Sequence, residues 1–195
     1  LVWVGIIGLG VLIYVVMDCF DLGIGILFPF IHGSQERDVM MNTVAPVWDG
    51  NETWMVLGGA GLFAAFPLVY STVLSALYLP IIFMVVALIF RGVAFEFRFK
   101  ATRTKYLWDL AFIWGSILSS FFQGVILGAY IQGIQTSNGI YSGGVLDWLT
   151  PFSVFTGIGV VVMYATLGCG WLIWKTEKDL QQRMYHLMPR LIIAL

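Results

Sequence analysis

Residues 72–97 read TVLSALYLPIIFMVVALIFRGVAFEF, and their only charges, Arg91 and Glu96, stand near the C-terminal end. A membrane-crossing helix needs about 20 predominantly apolar residues. This run has length to spare, enough to tilt or to project beyond the hydrocarbon. Pro80 lies within it and should bend it, because proline removes one backbone donor and crowds the preceding turn. The rest of the sequence has the same character. Mean hydropathy is +0.90, 59% of residues are hydrophobic and 11% are charged, against roughly 25% charged in ordinary soluble domains. Lipid is therefore the expected solvent. The net charge of -1 and the absence of a basic run exclude a nucleic-acid footprint.

Other apolar runs extend over about 1–31, 53–70, 107–132 and 151–174, with a last one starting near Met188. The expected fold is all-α, a polytopic transmembrane helix bundle. The segment from Phe66-Pro67 to Thr72 is so short that the second and third runs should form a tight antiparallel hairpin. The missing initiator Met and the apolar ending Leu191-Ile192-Ile193-Ala194-Leu195 suggest a fragment. The first run lacks a basic front and is longer than a signal-peptide core of about 7–15 residues, so it reads as a span.

Basic residues set the orientation. Arg91, Arg98, Lys100, Arg103 and Lys105 cluster after the third run, and Lys175, Lys178, Arg183 and Arg190 follow the fifth, whereas 135–150 contains neither Lys nor Arg. Both clusters should be cytoplasmic. Parity then puts the 32–52 loop on the same side and the N-terminus outside. Trp3, Trp48, Trp54, Trp108, Trp148, Trp171 and Trp174 fall near run ends, as interfacial anchors do. Ser116, Ser120, Gly124 and Gly128 form a small-residue stripe for close helix packing, and Gly58-Gly59-Ala60-Gly61 is read the same way. Cys19 and Cys169 lack metal-ligand spacing and read as small apolar packing residues. No metal site, phosphate loop or nucleophile elbow is recognisable.

The chemistry must then come from acids in apolar surroundings, which face protein or water and often mark ion or proton routes. Asp18 and Asp21 share one helical face inside the first run. They could relay protons, bind a cation or satisfy a helix break near Gly23 and Gly25. Asp49 and Glu52 have the same spacing within Trp48-Asp49-Gly50-Asn51-Glu52-Thr53-Trp54. Asp49 or Asn51 could cap a helix there, but two neighbouring acids between tryptophans favour proton handling. Glu96, Arg98 and Lys100 alternate with Phe95, Phe97 and Phe99, as a snorkelling interface also would. Arg91 should pair with an acid, and Gln123 needs an interhelical partner. His32 and His186, the only imidazoles, stand at run boundaries; such a chain is poorly equipped to hold several haems.

These residues resemble subunit II of the cytochrome bd-type and cyanide-insensitive quinol oxidases, in its N-terminal portion. The likeness rests on Asp18-Cys19-Phe20-Asp21-Leu22-Gly23, on Asn42 to Trp54, on Gly58-Gly59 with Leu62-Phe63-Ala64-Ala65-Phe66-Pro67, on Phe90 to Arg98, and on Trp108-Asp109. It implies two consecutive four-helix bundles in the whole subunit: 1–132 as the first, 133–150 as an extracytoplasmic loop and 151–195 as the start of the second. It implies a multi-pass subunit of the prokaryotic cytoplasmic membrane that supports subunit I, the carrier of haems b and d, in a respiratory enzyme that uses quinol to reduce oxygen to water. Some members hold a structural quinone, and small accessory subunits occur. For proton transfer the resemblance points first to Asp49, with Glu96 and Lys100 nearer the cytoplasmic entrance and Asp18, Asp21 and Glu52 as further polar positions. An ion- or proton-coupled secondary transporter and a purely structural membrane adaptor are the competing readings.

Overall fold

A computed structural model describes residues Leu1–Leu195. Seven α-helices follow in order: α1 Val2–Leu27, α2 Ser34–Asn42, α3 Trp48–Ala65, α4 Pro67–Phe97, α5 Lys105–Gln132, α6 Pro151–Lys175 and α7 Lys178–Ala194. One 3-10 turn, Phe28–Phe30, extends α1. With that extension, α1, α4, α5 and α6 are long and apolar enough to cross a membrane. The protein is an all-α, multi-pass membrane bundle.

The structure corrects four local expectations. The run anticipated at 53–70 forms α3 over Trp48–Ala65, so its acids lie within the first two turns rather than before them. Those polar turns leave α3 outside the set of helices apolar enough to span alone. Neither Asp49 nor Asn51 caps it: the cap position is Val47, with no side-chain hydrogen bond. Only Phe66 separates α3 from α4, because Pro67 supplies a preset first helical residue. The last helix starts at Lys178, not near Met188, since a polar face with Leu180 and Met184 turned inward suffices to seat its first half on α6. As expected, α4 is kinked. Leu77 leaves helical geometry (φ -119°, ψ 17°) one turn before Pro80, where the proline ring crowds the Ala76 carbonyl and withholds its donor.

The 133–150 segment contains a small hairpin, β1 Thr136–Ser137 paired antiparallel with β2 Ile140–Tyr141. Asn138 and Gly139 both have positive φ, as a two-residue Asn-Gly hairpin turn requires. Next, Thr150 and Ser153 close a capping box at the start of α6.

Helix contacts run α3–α1–α6 and α4–α5–α6, with α1 also touching α5. Small residues make this possible. A Cβ on Gly23 would stand 2.0 Å from the Tyr164 carbonyl oxygen, and one on Gly124 would stand 2.6 Å from that of Thr156, so α6 lies backbone-close to both α1 and α5. Ser116, Ser120, Gly124 and Gly128 are all buried along α5. Most of the core gathers at one end, where Leu22, Leu27 and Phe28 meet Met40, Met41, Phe112 and Leu172. The antiparallel connections bring α2 and both basic clusters to that same end.

Candidate functional site

Arg91 on α4 is completely buried. It fits because the α5 backbone retreats at Gly115, where an added Cβ would lie 3.0 Å from the Arg91 Cβ. From there to the end of α4 at Phe97 is about 9 Å of helix. Its Nη1 donates to Glu52 Oε1 of α3 at 2.5 Å and lies 3.8 Å from Asp18 Oδ1 of α1. Asp21 enters the same cluster through Asn51, whose Nδ2 donates to Asp21 Oδ2 at 2.7 Å and contacts the Met17 carbonyl at 3.2 Å. Stacked Trp48 and Phe95, with ring centroids 4.8 Å apart, lie toward the C-terminal end of α4, and the guanidinium sits 5.4 Å from the Phe95 centroid.

The cluster thus holds three carboxylates and one guanidinium, which pairs with two of them. If all were ionised, the group would carry two negative charges in excess, in a place where unpaired charge costs several kcal/mol. Hydrogen bonding does not meet that demand. Both Asp18 oxygens, Asp21 Oδ1 and the Nε and Nη2 of Arg91 are buried without partners. A cluster with surplus acid and unused hydrogen-bonding capacity can take up and release protons without rebuilding the fold.

The six acids and bases anticipated for proton transfer therefore divide. Asp18 and Glu52 pair with Arg91, and Asp21 joins them through Asn51. Asp49 is one turn from Glu52 but exposed, facing away from the other helices of this chain. Glu96 and Lys100 pair with each other at 3.5 Å and are also exposed, at the same end of the bundle. Arg91 meets its acids as the sequence required. Asn51 was missed as a bridge, although an Asn one residue before Glu52 was the available signal.

A second charged group lies closer to the bundle end. Arg98, which the alternating pattern allowed as a snorkelling residue, is fully buried. It bonds Asp109 of α5 and reaches Asp38 of α2 at 2.5 Å. Arg37 joins Asp109 at 2.8 Å and Lys105 joins Asp38 at 2.9 Å. Asp38 lies outside the spans; burial would raise its pKa, but hydrogen bonds and charge from Lys105 and Arg98 hold it below the ordinary value. His32 and His186 are exposed. Both cysteines are free; Cys19 donates to the Val16 carbonyl and Cys169 to that of Met184.

The fold and this cluster define an all-α, multi-pass membrane protein with ionisable groups in its interior, and sequence comparison specifies it further. Residues 1–195 match the family described as cytochrome bd terminal oxidase subunit II, and the chain belongs to that family. It is 33% identical over 190 residues to the cytochrome bd-I ubiquinol oxidase subunit 2 of Escherichia coli (strain K12), covering 93% of this chain and 50% of the relative. To the cytochrome bd ubiquinol oxidase subunit 2 of Bacillus subtilis (strain 168) it is 34% identical over 181 residues, covering 90% and 53%. The chain spans about half the length of the curated relatives it matches.

Proposed function

We propose that the chain acts within a non-haem subunit of a terminal quinol:oxygen oxidoreductase, supporting a haem-bearing subunit I and supplying protons from the cytoplasm for the reduction of oxygen to water. The observation that carries this reading is the cluster of buried Asp18 and Asp21 with half-buried Glu52 beside Arg91, in which three carboxylate oxygens of the two aspartates have no partner. It sits near the end where positive residues gather, the end taken as cytoplasmic; the N-terminus is then outside. Exposed Asp49, with Glu96 and Lys100 at the same end, would receive protons, and Glu52, one turn inside Asp49, would pass them to the acids on α1.

Haems b and d belong on the partner in this reading. Both imidazoles of this chain are exposed on its surface, His32 in the turn before α2 and His186 in the middle of α7, which supports placing the haems on the partner. Two grooves are apolar and without histidine: one of about 470 Å³ between α1 and α6, the other of about 370 Å³ between α4 and α5. We assign no residue here to a structural quinone.

Asp49→Asn tests the route, since it keeps the size and removes the charge. In the complete oxidase we expect normal haem content and oxygen consumption slowed about tenfold or more, within the usual range for a lost proton-transfer group. Unchanged turnover in an assembled complex would remove Asp49 from the route; failed assembly would make it structural. Purification of the whole subunit as a haem-free carrier with solute-dependent uptake would overturn the oxidase assignment.

A further inference from the structure

Three helices join in a hydrogen-bond chain just beyond Asp18, with both its tyrosines buried and Gln123 half-buried. Tyr164 of α6 donates its hydroxyl to Gln123 Oε1 of α5 at 2.8 Å, and Gln123 Nε2 donates to the Tyr14 oxygen of α1 at 2.7 Å. Tyr14 and Tyr164 are 6% and 2% exposed, so water competes little for these bonds. The chain has a direction. Having accepted from Gln123, the Tyr14 hydroxyl keeps its own proton to give, and the carboxylate beside it is Asp18, one turn along the same helix. The opposite amide orientation would make Tyr14 donate to Gln123 and turn its lone pairs toward a carboxylate, an electrostatic conflict in a low-dielectric interior.

Asp18 is suited to receive such a donor. It is 1% exposed, both its oxygens lack partners, and its one nearby cation, Arg91, is already engaged by Glu52. The groups around it are Tyr14, Cys19 and Asp21 on its own helix, Glu52 from α3, Arg91 from α4 and Tyr164 from α6; α5 contributes the uncharged Gln123.

We propose that Tyr164, Gln123 and Tyr14 are positioning residues: the amide of Gln123, oriented by Tyr164, holds the Tyr14 hydroxyl with its proton toward Asp18, and so sets how readily Asp18 exchanges a proton within the cluster. This rests on the proton-route reading above. It adds a control element on the side of the cluster away from the cytoplasmic end.

The test uses the complete oxidase, with haem absorption as the check on assembly. Redox-induced infrared difference spectra would first identify the Asp18 carboxyl C=O band by its loss in Asp18→Asn. Tyr14→Phe, which removes one hydroxyl, should then shift that band to higher frequency and slow oxygen consumption about fivefold, the worth of one hydrogen bond. Tyr164→Phe and Gln123→Leu should shift the band the same way, Tyr164→Phe by less. They carry the test if Tyr14→Phe does not assemble. An unmoved band in these variants, or no Asp18 band at all, overturns the proposal. A shifted band with normal turnover would keep the positioning role and remove the proton route; slowed Asp18→Asn with an unmoved band would do the reverse.

Discussion

Arg91 and Arg98 are seven residues apart on α4, close to two full turns and so on nearly the same face. Both are completely buried, yet their surroundings differ. Arg98 stands among two acids, Asp38 and Asp109, and two further bases, Arg37 and Lys105, so cations outnumber carboxylates by one and each carboxylate has two cationic partners. Arg91 is one cation among three carboxylates, and both oxygens of Asp18 go unbonded. Arg98 Nη2 also lacks a partner, but the carboxylates are the groups that titrate: a network whose carboxylates are all paired resists changes in protonation, and one whose carboxylates are not invites them. By that measure the Arg98 network is a strap that ties α2 to α4 and α5, and the Arg91 cluster is the proposed site.

The largest expected effect lies in the strap. Arg98→Gln leaves Asp109 short of a partner in a mostly buried position, and should cost about 3–5 kcal/mol, the usual penalty for breaking a buried pair. Thermal denaturation of the purified complex would show it, along with reduced yield. Arg91→Gln should cost less, about 1–3 kcal/mol, because the three acids it abandons can share protons instead of remaining charged. Its main defect should be slow oxygen consumption in an assembled complex. Equal destabilisation by the two substitutions would erase the distinction between strap and site.

Much of this was legible in the sequence for reasons that are local. Apolar runs of membrane length, the Pro80 kink and the acids in apolar company depend only on neighbouring residues and on the lipid solvent. The Arg98 network did not show because its members, 37, 38, 98, 105 and 109, are brought together by the return of α2 across the bundle end. Alternation with phenylalanines described the surface positions Glu96 and Lys100 correctly while concealing that Arg98 turns inward. Asn51 was similarly hidden: capping is a local habit of Asn, but its bond to Asp21 exists only once α3 lies along α1. For Gln123 the need for an interhelical partner was legible and the identity of the two tyrosines was not.

A smaller effect comes from paired changes of carboxylate to amide. Asp109→Asn should destabilise by about 2 kcal/mol, since it removes the charge that two arginines use. Asp18→Asn should change stability by less than about 1 kcal/mol, because an amide oxygen in its place can still accept from Tyr14 and the ion pair it loses, to Arg91, is a long one at 3.8 Å. Denaturation midpoints of the two variants, measured in one detergent, would expose the contrast; a larger loss for Asp18→Asn would place Asp18 in the scaffold.

The smallest effect is that of pH on the strap. Asp38 has its pKa lowered in the folded protein, with burial opposing and Lys105 and Arg98 prevailing. The unfolded chain therefore binds its proton more readily. The stability this residue contributes is complete above the ordinary carboxylate range and declines as pH falls below about 4 toward the lower folded value. Asp38 is about one-third exposed, at 32% of its side chain, so solvent screens the interaction and the loss should be slight. Melting curves of wild type and Asp38→Asn should differ by a constant amount between about pH 5 and 7 and converge below about pH 4. Convergence already between pH 5 and 7 would mean that Asp38 exchanges protons in the working range, and the strap would then have to be counted with the site.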